Sequence, residues 1–175
     1  MGVIVVVQRC ALPAKALLRG YSGGGGYADC FVIETADHVS LARYVEAFYT
    51  SWLFRLERLV LTLAARPSSD LQAAELAAGR GSSFAAWEME SRAADQLLMR
   101  DVTGRTRSWF MVAPAASGTR LYFGSAITPT RPSATGPAAT GSVFRVLVGF
   151  HELYSRALLA ATRARLQRHP ELMNL

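Results

Sequence analysis

The hydrophobic positions change their period along the chain, and each change predicts an element. Cys30, Phe31, Val32 and Ile33 are a short run rich in β-branched and aromatic residues, so Tyr27 to Thr35 is expected as a strand. From Leu41 the apolar residues fall at helical spacing: Tyr44, Val45, Phe48, Trp52, Leu56, Leu59, Val60 and Leu63. This predicts one long amphipathic helix, N-capped by Asp37 or Ser40. It ends at Arg66-Pro67, because proline disfavours helical geometry in the residue before it. Ser69, with Gln72 three residues on, reads as a capping box that opens a shorter helix closed by Gly79.

From Phe84 the period becomes two. Trp87 and Met89 alternate with Glu88 and Glu90, and Gln96 to Asp101, Thr106 to Ala113 and Thr119 to Ile127 read as further strands. Thr103-Gly104 and Ser117-Gly118 put glycines at the connections, where positive φ costs little, so hairpins and antiparallel neighbours are expected. A Pro/Ser/Thr/Gly-rich stretch from Pro129 to Gly141 leads into a last helical pattern, Ser142 to Arg168. On that helix Leu147, His151, Tyr154 and Leu158 share one side. A histidine and a tyrosine on an apolar face need hydrogen-bond partners or a cavity wall.

Composition narrows the function classes. A chain of 175 residues with 51% hydrophobic content suits one domain with a full core. The net charge is +6, but Lys15 is the only lysine among the 19 basic residues and the arginines are scattered. That pattern matches a GC-rich coding bias better than a nucleic-acid footprint, so no nucleic-acid partner is expected. Cys10 and Cys30 lack a CxxC spacing, which argues against zinc and against a redox motif and leaves their pairing open. His38, His151 and His169 have no metal-ligand spacing, so no metal and no cofactor are expected. Val3 to Val7 is too short to span a bilayer, which gives cytoplasmic residence and no integral membrane contact as expectations. The glycine run Gly23 to Gly26 precedes a strand rather than a helix and so does not fit a phosphate cradle. It divides an N-terminal arm, residues 1–26, from a single domain, 27–168, and a tail, 169–175.

The element order is strand, helices, antiparallel strands and a closing helix. With Trp87-Glu88-Met89-Glu90, Ser108-Trp109-Phe110 and Gly118-Thr119-Arg120-Leu121, it resembles the helix-grip superfamily of START/Bet v 1-like (SRPBCC) proteins, polyketide-cyclase-like members in particular. The resemblance implies an α+β fold in which a curved antiparallel sheet wraps a long C-terminal helix, with two helices before the sheet. It also implies a cavity between sheet and helix for a lipid, polyketide or aromatic compound. The first helix is longer here than in many members.

The residues expected to line that cavity are Trp87, Met89, Trp109, Met111, Phe123, Leu147, Phe150, His151, Tyr154 and Leu158. Binding of a small hydrophobic molecule is the leading expectation. The alternative is a cyclase, dehydratase or hydrolase in which His151 exchanges protons and Tyr154 donates to a developing oxyanion. Against catalysis stands a histidine satisfied by a strand carbonyl, or by a carboxylate such as Glu88 or Glu90. A third expectation is a filled core with a homodimer contact through Trp52 or Phe54. Glu88, Glu90 and Arg92 are expected on one strand face, paired with Arg105 and Arg107 or, if these arginines turn inward, meeting an anionic ligand.

Overall fold

The computed structural model describes residues 6–23, 27–63, 66–128 and 141–168, with the side chains of 141–148 outside the description. In chain order it contains β1 (Gln8–Arg9), a 3-10 helix (Leu17–Tyr21), β2 (Tyr27–Thr35), α1 (Leu41–Tyr49), α2 (Trp52–Leu63) and α3 (Asp70–Ala77). There follow β3 (Ser83–Phe84), β4 (Trp87–Ala93), β5 (Gln96–Asp101), β6 (Thr106–Ala115), β7 (Gly118–Ile127) and α4 (Gly141–Arg168). The fold is α+β, with one seven-stranded antiparallel sheet in the order β1-β2-β7-β6-β5-β4-β3. Among the described residues no helix is long and apolar enough to cross a membrane.

The expected long first helix is two helices. Thr50 Oγ1 donates to the Glu46 carbonyl at 2.7 Å and closes α1, while Ser51 Oγ accepts from the Phe54 amide at 3.3 Å and opens α2. These hydroxyls compete with the helical hydrogen-bond ladder and break it without interrupting the apolar spacing. Among the described residues three α-helices therefore lie between β2 and β3, where two were expected. Ser40 caps α1, and Ser69 with Gln72 forms a full capping box on α3. Phe54 is buried, so of the two aromatics considered for a dimer contact only Trp52 stands in solvent.

The pleat gives the sheet two dissimilar faces. On the inner face Phe31, Leu97, Met99, Phe110, Leu121 and Phe123 pack with α1, α3 and α4 in the main core. Aromatic rings dominate it: Phe48 lies 4.8 Å from Phe110 and 4.9 Å from Phe123, ring centre to ring centre. The outer face carries a second cluster, Cys30, Leu98, Trp109, Met111 and Ala126. It is covered by the N-terminal arm, which inserts Ala16 and Leu18. The arm reads in the sequence as a loose lead-in, yet Leu18 is fully buried and β1 adds a strand to the sheet edge.

Two glycines are demanded by close approach. A Cβ on Gly118, whose φ is +104°, would stand 2.1 Å from the Thr35 carbonyl oxygen. On Gly124 it would meet the Asp29 carbonyl oxygen at 2.7 Å and Leu18 Cδ2 at 2.9 Å, which is how the arm lies so close to β7.

Candidate functional site

Between the inner face, α2 and α4 lies a cavity of about 310 Å³, at the lower end of the ~300–1,000 Å³ usual for ligand pockets. Its apolar wall is Phe48, Phe54, Trp87, Phe123 and Leu158; its polar lining includes Tyr49, Glu57, Ser108, Ser125, His151, Tyr154 and Ser155. Strand parity places Ser125 beside Phe123 on the inner side of β7, and the four-residue spacing of α4 stacks Ser155 over His151. Tyr49 sits at the end of α1, beside the break that turns the chain into α2.

Three hydroxyls around this cavity are about 1% exposed and have no hydrogen-bond partner among the described residues: Tyr49 OH, Ser125 Oγ and Ser155 Oγ. Buried polar atoms are otherwise paired in folded proteins, and an unpaired one costs about 1–3 kcal/mol. These three hydroxyls and His151 Nε2, likewise unpaired among the described residues, all belong to the lining of this one space.

His151 stands beside a buried carboxylate. Its Nε2 lies 3.6 Å from Asp29 Oδ2, whose side chain is fully buried. Asp29 Oδ1 accepts the Ser125 amide at 2.8 Å, and Tyr27 OH donates at 3.1 Å, bridging Asp29 and Glu152. Glu152 in turn pairs with Arg9 of β1 at 2.7 Å. Burial pushes the Asp29 carboxyl above its ordinary range, against the opposing pull of the His151 charge and the Ser125 amide. Burial and the neighbouring Asp29 charge likewise raise the Tyr27 hydroxyl.

Tyr154 turns the other way. Its hydroxyl bonds Glu57 Oε2 of α2, and burial raises both groups, Tyr154 with added help from the Glu57 contact. His151 and Tyr154 therefore line the same cavity but do not act on one another; Asp29 is the carboxylate beside His151, at 3.6 Å too far for a hydrogen bond, and Nε2 has no hydrogen-bond partner among the described residues. Glu88 and Glu90 do not supply one, since both point outward, Glu88 to Arg100 at 2.8 Å and Glu90 to Arg107 at 3.1 Å.

Of the ten residues expected to line the cavity, Trp87, Phe123, His151, Tyr154 and Leu158 meet there. Trp109 and Met111 do not, because Phe110 and Ser108 take the inner positions of β6 and force their neighbours outward, against the arm. Met89 is on the inner side but packs against the main core. Phe150 is 68% exposed and stacks on the Tyr154 ring at 6.3 Å. The side chain of Leu147 lies outside the described residues. The expected shared face of Glu88, Glu90 and Arg92 is also corrected. A bulge between Met89 and Ser91 shifts the register, so Arg92 turns inward and donates to the Leu76 and Ala77 carbonyls at the end of α3. Arg55, Arg58, Arg105 and Arg107 stay out of the cavity, so none meets a ligand anion there.

Asp29, Ser125, Ser155, Tyr49 and Glu57 escaped sequence reasoning as site residues. The available signal was polarity out of place, above all Asp29 next to the apolar run Cys30 to Ile33. Among the described residues no group of histidine, cysteine or acidic side chains could hold a metal ion. Compared with protein-family models, with curated proteins and with solved structures, the chain matches none.

Proposed function

We propose that this chain is a helix-grip domain that binds one small, mostly apolar molecule, a lipid, polyketide or aromatic compound, and orients it by an oxygen-bearing end. The observation that supports this reading is the convergence of three unpartnered buried hydroxyls, Tyr49, Ser125 and Ser155, on a cavity of about 310 Å³. That space equals roughly ten waters of liquid volume, which suits one or two fused rings or a short chain. Phe48, Phe123 and Leu158 hold the apolar body. Hydroxyls both donate and accept, so a ligand hydroxyl or carbonyl satisfies them, and the apolar wall excludes a fully polar ligand.

Native mass spectrometry of the purified chain tests the reading: a small molecule is expected to travel with the folded protein and to leave on denaturation. A bare mass, together with no binding of small aromatic alcohols, contradicts it. His151→Ala is expected to change affinity by about 1–3 kcal/mol.

A second reading, an enzyme of the cyclase, dehydratase or hydrolase kind, is favoured by the Asp29–His151 pair. A buried carboxylate stands 3.6 Å from Nε2, and an imidazole with a carboxylate beside it is the pairing that general-base chemistry uses. In that case His151→Ala abolishes turnover of the bound compound while leaving it bound, and Asp29→Asn impairs turnover without emptying the cavity.

A further inference from the structure

We propose that Cys10 and Cys30 form an oxidisable pair, which a disulfide-bearing oxidant converts into an intramolecular disulfide that fastens the N-terminal arm to the sheet. The placement comes from strand register. Gln8 opposes Val32 and Arg9 opposes Phe31, and the same pairing carries Cys10 opposite Cys30, whose carbonyl accepts the Cys10 amide at 2.9 Å. Opposed residues of an antiparallel pair have Cα atoms ~4.5–5.5 Å apart, within the ~4.4–6.8 Å that a disulfide bridges. Both side chains belong to the outer-face cluster, and the two free thiols touch, sulfur to sulfur, at 3.1 Å.

The pair is asymmetric in access. Cys30 is 1% exposed whereas Cys10 is half-buried, so an oxidant meets Cys10 first. The contact with Cys30 also holds the Cys10 thiol below its ordinary value, and the same contact with burial pushes Cys30 up. With oxidised glutathione, the Cys10 thiolate attacks one glutathione sulfur, breaks the S–S bond and releases a glutathione thiolate. Cys30 then gives up its proton and attacks the Cys10 sulfur of the mixed disulfide, expelling the second glutathione. The two cysteines lose two electrons, the glutathione disulfide gains them, and the two cysteine protons end on the two glutathione thiols.

β1 has only two residues, and the arm that follows it is held by noncovalent contacts: the buried Ala16 and Leu18, the Gln96 hydrogen bonds, the Tyr21–Glu90 hydrogen bond and an exposed Lys15–Asp95 pair. Arg9 adjoins Cys10 and reaches Glu152, the outer end of the chain of contacts through Tyr27 and Asp29 to His151. Fastening the arm therefore also fixes one end of the cavity's polar wall; this last link rests on the binding reading above, and the test below does not.

The test treats the full chain with oxidised glutathione, counts thiols and maps tryptic peptides under denaturing conditions. Both thiols are expected to disappear, the Cys10 and Cys30 peptides to be joined, and dithiothreitol to reverse the change. Native trypsin cleavage after Lys15 and Arg19 is expected to slow by about tenfold in the oxidised form, because the arm must lift off before it is cut. Cys30→Ser is expected to keep glutathione on Cys10, and Cys10→Ser to leave the buried Cys30 unmodified. Wild type that retains glutathione on Cys10, two thiols that stay free, or equal cleavage rates in the two forms overturn the proposal.

Discussion

The two faces of one sheet bury polar side chains in opposite ways. On the outer face Gln96, 4% exposed, is paired at both ends of its amide: its Oε1 accepts from the Leu17 amide at 3.0 Å and from Trp109 Nε1 at 2.9 Å, and its Nε2 donates to the Lys15 carbonyl at 3.0 Å. On the inner side Tyr49, Ser125 and Ser155 are as deeply buried and have no hydrogen-bond partner among the described residues. The first arrangement ties the arm to the sheet. The second carries a standing cost in stability, which a bound molecule with a hydroxyl or carbonyl would remove.

If that contrast holds, the same kind of truncation has opposite consequences on the two faces. Gln96→Leu is expected to cost about 3 kcal/mol in denaturant unfolding, since it strands the Leu17 and Trp109 N–H groups and the Lys15 carbonyl. A loss under about 1 kcal/mol would break the comparison at its outer side. Gly124→Ala is next, about 2 kcal/mol, because the new methyl collides with the Asp29 backbone and Leu18. Limited proteolysis should find the arm released before the domain unfolds. On the inner face Ser125→Ala and Ser155→Ala are expected to leave stability within about 0.5 kcal/mol, or to raise it, while weakening binding of 1-naphthol by roughly 1 kcal/mol each. Calorimetric titration beside a melting curve separates the two effects.

The smallest effect concerns pH. Burial raises the Glu57 carboxyl, so the folded chain binds that proton more tightly than the unfolded chain does. Its contribution to stability therefore falls as pH rises from the ordinary glutamate value near ~4.3 through the raised one. Glu57→Gln keeps an acceptor for Tyr154 and removes this fall, so it should raise the melting temperature at pH 8 and do so less at pH 4.

The longer strands and the closing helix were legible from their hydrophobic patterns, whereas β1 and β3, of two residues each, are too short to carry one. The split between α1 and α2 was not legible, since Phe48, Trp52 and Leu56 keep helical spacing across it; the adjacent hydroxyls of Thr50 and Ser51 were the only warning. For β6 the difficulty was parity. Thr106, Ser108 and Phe110 face the cavity side while Arg107, Trp109 and Met111 face the arm, and with both faces covered the strand is apolar on both sides. Half of the expected wall was found through His151, Tyr154, Leu158, Phe123 and Trp87. Its polar part is assembled from residues far apart in the chain, Asp29 with Ser125 and Tyr49 with Ser155, and only strand register and helix packing bring them together.

On the binding reading proposed above, the unpaired inner hydroxyls are ligand contacts. The most direct test compares 1-naphthol with naphthalene in calorimetric titrations of the wild-type chain. 1-Naphthol is expected to bind about tenfold more tightly, the equivalent of one good hydrogen bond, and the preference is expected to vanish when Tyr49→Phe, Ser125→Ala and Ser155→Ala are combined. Equal affinities in the wild-type chain, or a preference that survives the triple substitution, would contradict that reading.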